Sequence, residues 1–399
     1  MKKIAVVVQR YGNEVNGGAE LEAKEYAERL TEYYDVTVLT TCAKDYVSWK
    51  NEYPEGEERI NGVRVLRFAC DEERDGEEFH YVRTRMVELL EREETEIDEA
   101  FQQRWLRKQG PYCPKLVEQI KKDKDEYDVF LFMTYLYYPT VCGIAEVKEK
   151  SILIPTAHDE PYIRIPCYRS IFNGIKGLFY NSSGEKKLVD ELFDVKDIPC
   201  AIGGCGVSVP ENIDMEAFKE RYHLPDEYVV YAGRVDVEKG CKDLIAFWKD
   251  YNKERRLMYK APVTLVLIGK VAMEMKPVHH VISLGFVSDE DKYAAIAGAM
   301  FMVLPSPMES LSIAVLESFS LRRPVLVNGN CMTLRDHVLL SNGGLFYQDY
   351  DEFTVCMDYL TDPDRKKEIA TMGKNGKFYC LSNYEWNGII KRLVQLIEG

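Results

Sequence analysis

Hydrophobic positions along the chain alternate between two patterns from one end to the other. Short runs rich in Val, Ile and Phe predict buried strands, and amphipathic stretches between them, such as 20–33, 242–252 and 289–299, predict helices. The alternation indicates parallel sheets that are covered by helices on both faces. The predicted strands form two series, and therefore two doubly wound domains: Lys3–Val8, Val36–Thr40, Val63–Phe68, Val129–Met133, Ser151–Pro155 and Gly177–Asn181, then Tyr228–Ala232, Val263–Ile268, His280–Leu284, Phe301–Leu304 and Val325–Asn328.

Length and composition agree with two globular domains. The chain has 399 residues, of which 46% are hydrophobic and 30% charged. There are 52 Lys and Arg against 66 Asp and Glu, a formal charge of −14. Phosphate binding along a nucleic acid needs a concentrated basic surface, so nucleic acid is excluded as the main partner.

The beginning of the chain predicts a buried strand rather than a targeting segment. Only five consecutive apolar residues, Ile4–Val8, precede Gln9 and Arg10, which is shorter than the apolar core of a signal peptide. No stretch approaches the ~18 apolar residues of a membrane span. We expect a cytoplasmic protein and leave open a peripheral contact with the inner membrane face.

A glycine-rich segment, 199–206, predicts the domain boundary. Three glycines in four positions, Gly203, Gly204 and Gly206, suit a mobile link. A nicotinamide-dinucleotide loop is rejected, because its third glycine would stand at Val209 and no helix is predicted to follow. We therefore expect a first domain at 1–205, a second at 206–382 and a final helix at 383–399.

One segment of the first domain departs from the α/β rhythm. Residues 71–99 contain 13 acids and 4 bases, a net charge of −9. We expect an insertion at about 71–125 that forms solvated helical decoration, with a lid over an acceptor site as the alternative.

Two local patterns of the first domain bear on chemistry. Gly17 and Gly18 stand at a strand-to-helix turn, where a ligand could approach the backbone and a phosphate could meet the helix N-terminus; an ordinary tight turn is the alternative. His158, with Asp159 and Glu160, follows a buried strand, at the sheet edge where ligands bind in α/β folds. A structural histidine is the alternative there.

Two further patterns lie in the second domain. Arg234 and Lys239, flanked by Gly233 and Gly240, directly follow a strand and could clamp a diphosphate. Glu309 and Glu317, separated by seven residues, bracket the beginning of a helix. Carboxylates accept pairs of hydroxyl hydrogen bonds, and the amides near Ser312 and Ile313 could reach phosphate oxygens.

Together, these four patterns resemble the retaining glycosyltransferases of family four, the glycosyl transferases group 1, in content and in order. The resemblance covers nearly the whole chain, including a final helix after Tyr384 that crosses back onto the first domain in this family. It implies the GT-B fold, in which two doubly wound Rossmann-like domains have parallel sheets facing across a cleft. Leu311 and Ser312 depart from the usual Phe-Gly, and Arg322 replaces a glycine at a helix C-terminus.

The resemblance implies a role for each position. Gly17 and Gly18 would face the donor diphosphate, and Arg234 and Lys239 would neutralise its leaving β-phosphate. The remaining expected roles are hydroxyl binding on the transferred sugar for Glu309, ribose binding for Glu317, phosphate contact for the amides of Ser312 and Ile313, and a place beside the anomeric carbon for His158.

The resemblance also implies a reaction. A sugar would move, with retained configuration, from a nucleotide diphosphate donor to a saccharide or lipid-linked acceptor, in cell-surface polysaccharide or glycan synthesis. We expect no metal and no cofactor, because the Asp-x-Asp triplets lie in charged runs or at helix starts. A nucleotide-sugar epimerase of the same fold and a catalytically silent nucleotide-binding subunit are the alternatives.

Overall fold

The structure is a computed structural model that describes residues 1–15, 17–92 and 96–399. The chain divides into two compact units. Met1–Gly204 and Ile389–Gly399 form the first unit, and Cys205–Gly388 form the second.

The first unit is built on an eight-stranded sheet in the order β3-β4-β2-β1-β5-β6-β7-β8. Neighbouring strands are parallel, apart from the antiparallel pair of β3 and β4. The strands are β1 (Lys3–Val7), β2 (Asp35–Thr41), β3 (Gly56–Ile60), β4 (Val63–Phe68), β5 (Val129–Met133), β6 (Ser151–Ile154), β7 (Gly177–Tyr180) and β8 (Cys200–Ile202).

Helices connect these strands, and short 3₁₀ turns occupy Lys148–Lys150, Pro161–Arg164 and Pro166–Phe172. The described helices of this unit are α1 (Gly18–Leu30), α2 (Gly76–Leu90), α3 (Glu99–Gln109), α4 (Pro114–Lys122), α5 (Tyr138–Val147) and α6 (Ser183–Leu192).

The second unit has a six-stranded, wholly parallel sheet in the order β11-β10-β9-β12-β13-β14. Its strands are β9 (Tyr228–Ala232), β10 (Thr264–Ile268), β11 (Val281–Gly285), β12 (Met302–Leu304), β13 (Val325–Asn328) and β14 (Gly344–Tyr347). Its helices are α7 (Met215–Tyr222), α8 (Cys241–Leu257), α9 (Asp289–Gly298), α10 (Ile313–Ser320), α11 (Met332–Ser341), α12 (Tyr350–Leu360) and α13 (Lys366–Asn383). A 3₁₀ turn at Pro363–Arg365 precedes α13, and α14 (Trp386–Glu398) ends in the first unit.

Every strand predicted from the hydrophobic pattern is present, and the described residues form three further strands that the pattern does not predict. The missed strands β3, β8 and β14 all lie at sheet edges. β3 reads Gly-Glu-Glu-Arg-Ile and is almost wholly exposed, so it carries no apolar alternation. Its available signal was Asn61-Gly62, whose positive φ angles of 50° and 87° form the turn between β3 and β4.

The insertion predicted at about 71–125 forms helices whose apolar side chains pack into the core of the first unit. Residues 93–95 lie outside the described residues, but α2 and α3 bracket them and pack into the first unit's core. Val82 and Met86, one helical turn apart, are fully buried on α2. Trp105 and Leu106 are buried on α3. The acidic side chains therefore form the outer faces of helices that complete the core.

The glycine-rich segment is packed rather than a simple mobile link. Cys200–Ile202 form edge strand β8, and the Gly203 amide donates to the Tyr180 carbonyl (2.8 Å). A Cβ on Gly203 would stand 2.0 Å from the buried Phe179 ring. Gly203 is required because the backbone passes directly over this ring.

Within the described ranges, no helix combines the length and apolar character that crossing a membrane requires.

Replacing Gly203 by Ala tests this packing. The added methyl group would displace a buried ring, and overpacking typically costs about 1–3 kcal/mol. We expect the Tm of the first unit to fall by roughly 3–10 °C in calorimetry. Gly76→Ala is the matched control, because a Cβ there meets nothing within 4 Å. Equal Tm values for both variants would contradict close packing at Gly203.

Candidate functional site

The predicted residues of the second unit gather at the carboxyl edge of its sheet. Arg234 and Lys239 follow β9, and Glu309 follows β12. These strands are parallel neighbours, so the loops that leave them meet at the same edge.

Asp236 organises the loop between Arg234 and Lys239. Its carboxylate is nearly buried, contacts the Arg234 guanidinium and accepts a hydrogen bond from the Lys239 amide (2.6 Å). Gly240 ends the loop at a left-handed φ of 74°, and a Cβ there would stand 2.5 Å from the Pro305 carbonyl oxygen. The loop is therefore held close to the segment that follows β12.

An ion pair joins the two loops directly. Lys239 Nζ donates to Glu309 Oε1 at 2.7 Å. The Lys239 side chain is 33% exposed and that of Glu309 16%. The cation and the carboxylate are thus shielded from bulk water without being enclosed, and a ligand could still reach both.

The beginning of α10 lies beside Glu309. Ser312 precedes the helix with a left-handed φ of 65°, a conformation that glycine adopts most readily. The first intrahelical bond runs from the Val315 amide to the Ser312 carbonyl (3.1 Å), so the amide of Ile313 belongs to the open end of the helix. An anion at this end would meet amide donors and the positive end of the helix dipole.

His337 on α11 contacts the backbone of the segment that precedes α10. Its Nε2 lies 2.6 Å from the Leu311 carbonyl oxygen, and its Nδ1 lies 3.1 Å from the Tyr379 hydroxyl. A carbonyl oxygen only accepts, so Nε2 carries the proton. Burial lowers the pKa of His337 to about 4, against the opposing effects of the Leu311 carbonyl and the Glu309 charge.

Glu317 lies within α10 and has fixed partners. Its Oε1 accepts from Lys292 Nζ (2.7 Å) and from the Tyr293 hydroxyl (3.3 Å). Burial disfavours the Lys292 ammonium, but the Glu317 charge outweighs it and raises the pKa of Lys292. Burial and the same charge raise the pKa of Tyr293 to about 12. Glu317 is therefore a carboxylate that is held in one orientation.

In the first unit, Gly17 and Gly18 lie where α1 begins after β1. A Cβ on Gly17 would stand 2.0 Å from Glu20 Oε2, whereas one on Gly18 would meet nothing within 4 Å. The Glu20 carboxylate is buried and accepts from Arg10 Nη2 (2.6 Å) and Gln9 Nε2 (2.8 Å). The turn thus contains one fixed negative charge that Arg10 balances.

His158 follows β6 on another loop of the first unit. Its Nε2 lies 3.6 Å from Glu160 Oε2, and Glu160 Oε1 accepts from the Tyr135 hydroxyl (2.6 Å). The preceding amide, that of Ala157, donates to the buried Glu185. The imidazole is about one-third exposed, so it can meet a ligand from a fixed loop.

Sequence reasoning missed the residues that orient the predicted ones. Asp236 stands between Arg234 and Lys239, where its spacing to the Lys239 amide was the available signal. Arg10 contacts Glu20 across the turn between β1 and α1, and His337 contacts Leu311 from helix α11. Neither contact follows from a local sequence pattern. Across the part of the chain that the structure describes, no group of three His, Cys, Asp or Glu side chains is arranged to hold a metal ion.

Comparison with known proteins identifies the fold. Residues 226–362 match the sequence family described as glycosyl transferases group 1, so the match includes the predicted site residues of the second unit. Sucrose-phosphate synthase from Thermosynechococcus elongatus has a similar structure, with a TM-score of 0.72 and 16% identity over 100% of this chain and 98% of that one. The chain has the GT-B fold.

Two other GT-B proteins are similar over the whole chain. HepE from Anabaena, whose structure is a complex with UDP-glucose, has a TM-score of 0.69 at 13% identity, with 100% of both chains covered. WaaG, described as a glycosyltransferase involved in lipopolysaccharide biosynthesis, has a TM-score of 0.65 at 12% identity, with 99% and 100% covered. These likenesses confirm the predicted GT-B architecture.

Because His337 is buried and neutral, we expect the stability of the folded protein to depend on pH. Between pH 6.5 and about pH 4, the His337 imidazole is protonated in the unfolded chain but stays neutral in the folded protein. The free energy of unfolding therefore falls as the pH falls through this window. At pH 5 the loss is about 2 kcal/mol. We expect His337→Gln, which keeps a donor for the Leu311 carbonyl, to lose that much less stability between pH 7 and pH 5 in urea unfolding. Identical pH dependence in both proteins would contradict a buried neutral imidazole.

Proposed function

We propose that the protein is a retaining glycosyltransferase that moves a hexose from a nucleotide diphosphate-sugar to a saccharide or lipid-linked acceptor. The observation that carries the proposal is the Lys239–Glu309 ion pair, which is largely shielded at the carboxyl edge of the second unit's sheet and flanked by Arg234. The match of residues 226–362 to glycosyl transferases group 1 supports it.

The ion pair suits a donor that brings both charges new partners. A β-phosphate would approach the Lys239 ammonium, and sugar hydroxyls would donate to the Glu309 carboxylate. Neither group would then be left unpaired when the donor replaces their mutual contact, which matters because a shielded charge without a partner is costly. Arg234, already oriented by Asp236, would add a second cation on the diphosphate.

We assign the other predicted residues supporting roles in donor binding. The amides of Ser312 and Ile313 would meet phosphate oxygens at the start of α10, and Glu317 would bind the ribose. Gly17 and Gly18 would leave room for the diphosphate at the N-terminus of α1, where Arg10 balances the charge of Glu20. His158 would stand beside the anomeric carbon.

Chemistry at this site would depend on leaving-group charge. The bond from the anomeric carbon to the diphosphate breaks while the acceptor oxygen bonds to the same face of that carbon, and a diphosphate oxygen takes the acceptor's proton. Negative charge grows on the diphosphate as the bond breaks. Arg234 and Lys239 would stabilise that charge, so we propose no metal and no cofactor.

We further propose a cytoplasmic role in cell-surface polysaccharide or glycan synthesis. The likeness to WaaG supports this setting, because that protein is described as acting in lipopolysaccharide biosynthesis. HepE is described in complex with UDP-glucose, so UDP-glucose is the first donor to test.

Lys239→Ala tests the assigned role. We expect kcat for sugar transfer to fall by about 10²–10³-fold and donor Kd to rise by a smaller factor, about tenfold, because the ammonium acts most on charge that develops in the transition state. Lys374→Ala, at an exposed lysine of α13, is the matched control and should leave kcat unchanged.

Glu309→Gln complements this test, and it should abolish turnover while nucleotide binding persists.

An unchanged kcat with only a raised KM in Lys239→Ala would contradict the role of Lys239. A wild-type protein that binds nucleotide but transfers no sugar from any nucleotide-sugar would contradict the proposal that the protein is an enzyme.

A further inference from the structure

Helix α8 begins directly after the loop of Arg234 and Lys239 and ends at an exposed apolar tip. The tip consists of Leu257, Met258 and Tyr259, whose exposed fractions are 72%, 62% and 99%. Three consecutive large apolar side chains this exposed protrude from the second unit, and nothing in the described chain covers them. Apolar surface of this kind marks an interaction site more often than isolated exposed residues do.

Tyr259 also has a backbone conformation that is unfavourable for a residue with a bulky side chain. Its φ is 59°, in the left-handed region that bulky residues avoid. It occupies the position after the helix end where glycine is usual: its amide donates to the Arg256 carbonyl (3.1 Å), and the Lys260 amide donates to the Arg255 carbonyl (2.9 Å). A fully exposed tyrosine here contributes little packing to the fold, so the residue points to a role outside it.

The charge around the tip is opposite to that of the chain. Residues 249–260 contain five Lys and Arg and two acids, a net charge of +3 in a chain of −14. Asp358 pairs with Arg255 and Lys260. Lys253 and Arg256 are exposed and, within the described residues, form no ion pair, so their charges are available to an anionic partner.

We propose that the α8 tip is a docking surface for an anionic lipid bilayer. Leu257, Met258 and Tyr259 would enter the interfacial region, where tyrosine rings partition well, while Lys253 and Arg256 would meet lipid phosphates. Clusters of basic residues beside exposed apolar side chains are typical of reversible membrane binding. The inference does not depend on the proposed reaction, because lipid binding can be measured without turnover.

The tip is remote from the loop of Arg234 and Lys239. α8 has 17 residues, which corresponds to a rise of roughly 25 Å from the loop of Lys239 to Tyr259. Changes at the tip should therefore leave nucleotide binding intact, which separates failure of this proposal from failure of the proposed function.

Tyr259→Gly is the decisive variant, because it has opposite expected effects on stability and on lipid binding. Glycine accepts the left-handed backbone, so Tm should rise by roughly 1–4 °C. In co-sedimentation with phosphatidylglycerol-containing phosphatidylcholine vesicles at low salt, wild type should bind, and Tyr259→Gly combined with Leu257→Ser should bind at least about tenfold more weakly. Lys253→Glu with Arg256→Glu should weaken binding similarly.

The control is Phe378→Ser, which removes an equally exposed apolar side chain (75%) from α13 and should bind vesicles like wild type. Wild type that ignores these vesicles, or tip variants that bind as tightly as wild type, would overturn the proposal. It would also be overturned if sedimentation velocity showed self-association of wild type that Tyr259→Gly abolishes, with vesicle binding unchanged; the tip would then be an interface between copies of the chain.

Discussion

The contact between Lys239 and Glu309 joins two loops that are 70 residues apart in the chain, and the organisation of the second unit's site depends on it. A largely shielded ion pair is stable only when both partners are held in place, since the entropy of ordering two flexible side chains opposes it. Asp236 fixes one loop, and His337 supports the segment that follows Glu309. The approach of Gly240 to Pro305 holds the loops at contact distance.

The first unit uses a similar arrangement with different residues. Arg10 and Glu20 form a buried ion pair where α1 begins, and the Glu20 carboxylate lies against Gly17. Each unit therefore places fixed charges at the carboxyl ends of parallel strands, where helix ends also present unpaired amides. A charged donor binds best to groups that are already oriented, because little reorganisation is then needed when it arrives.

Much of the fold could be predicted because buried parallel strands read as continuous apolar runs, as Tyr228–Ala232 and Val325–Asn328 do. Edge strands such as Gly56–Ile60 lack that signal, since their exposed side chains can be charged. The predicted Lys239 and Glu309 meet in the structure because both follow central strands. The residues that hold them could not be predicted in the same way: the contact of His337 with Leu311 exists only after α11 has packed against the segment before α10.

The central claim is that Arg234 and Lys239 recognise the β-phosphate of the donor. Isothermal titration of each nucleoside diphosphate against its monophosphate, UDP with UMP, GDP with GMP and ADP with AMP, tests it most directly. Each charge-assisted bond to that phosphate is worth about 1.5–3 kcal/mol, so for the accepted base the diphosphate should bind at least about tenfold more tightly. Equal Kd values within every pair would contradict the account.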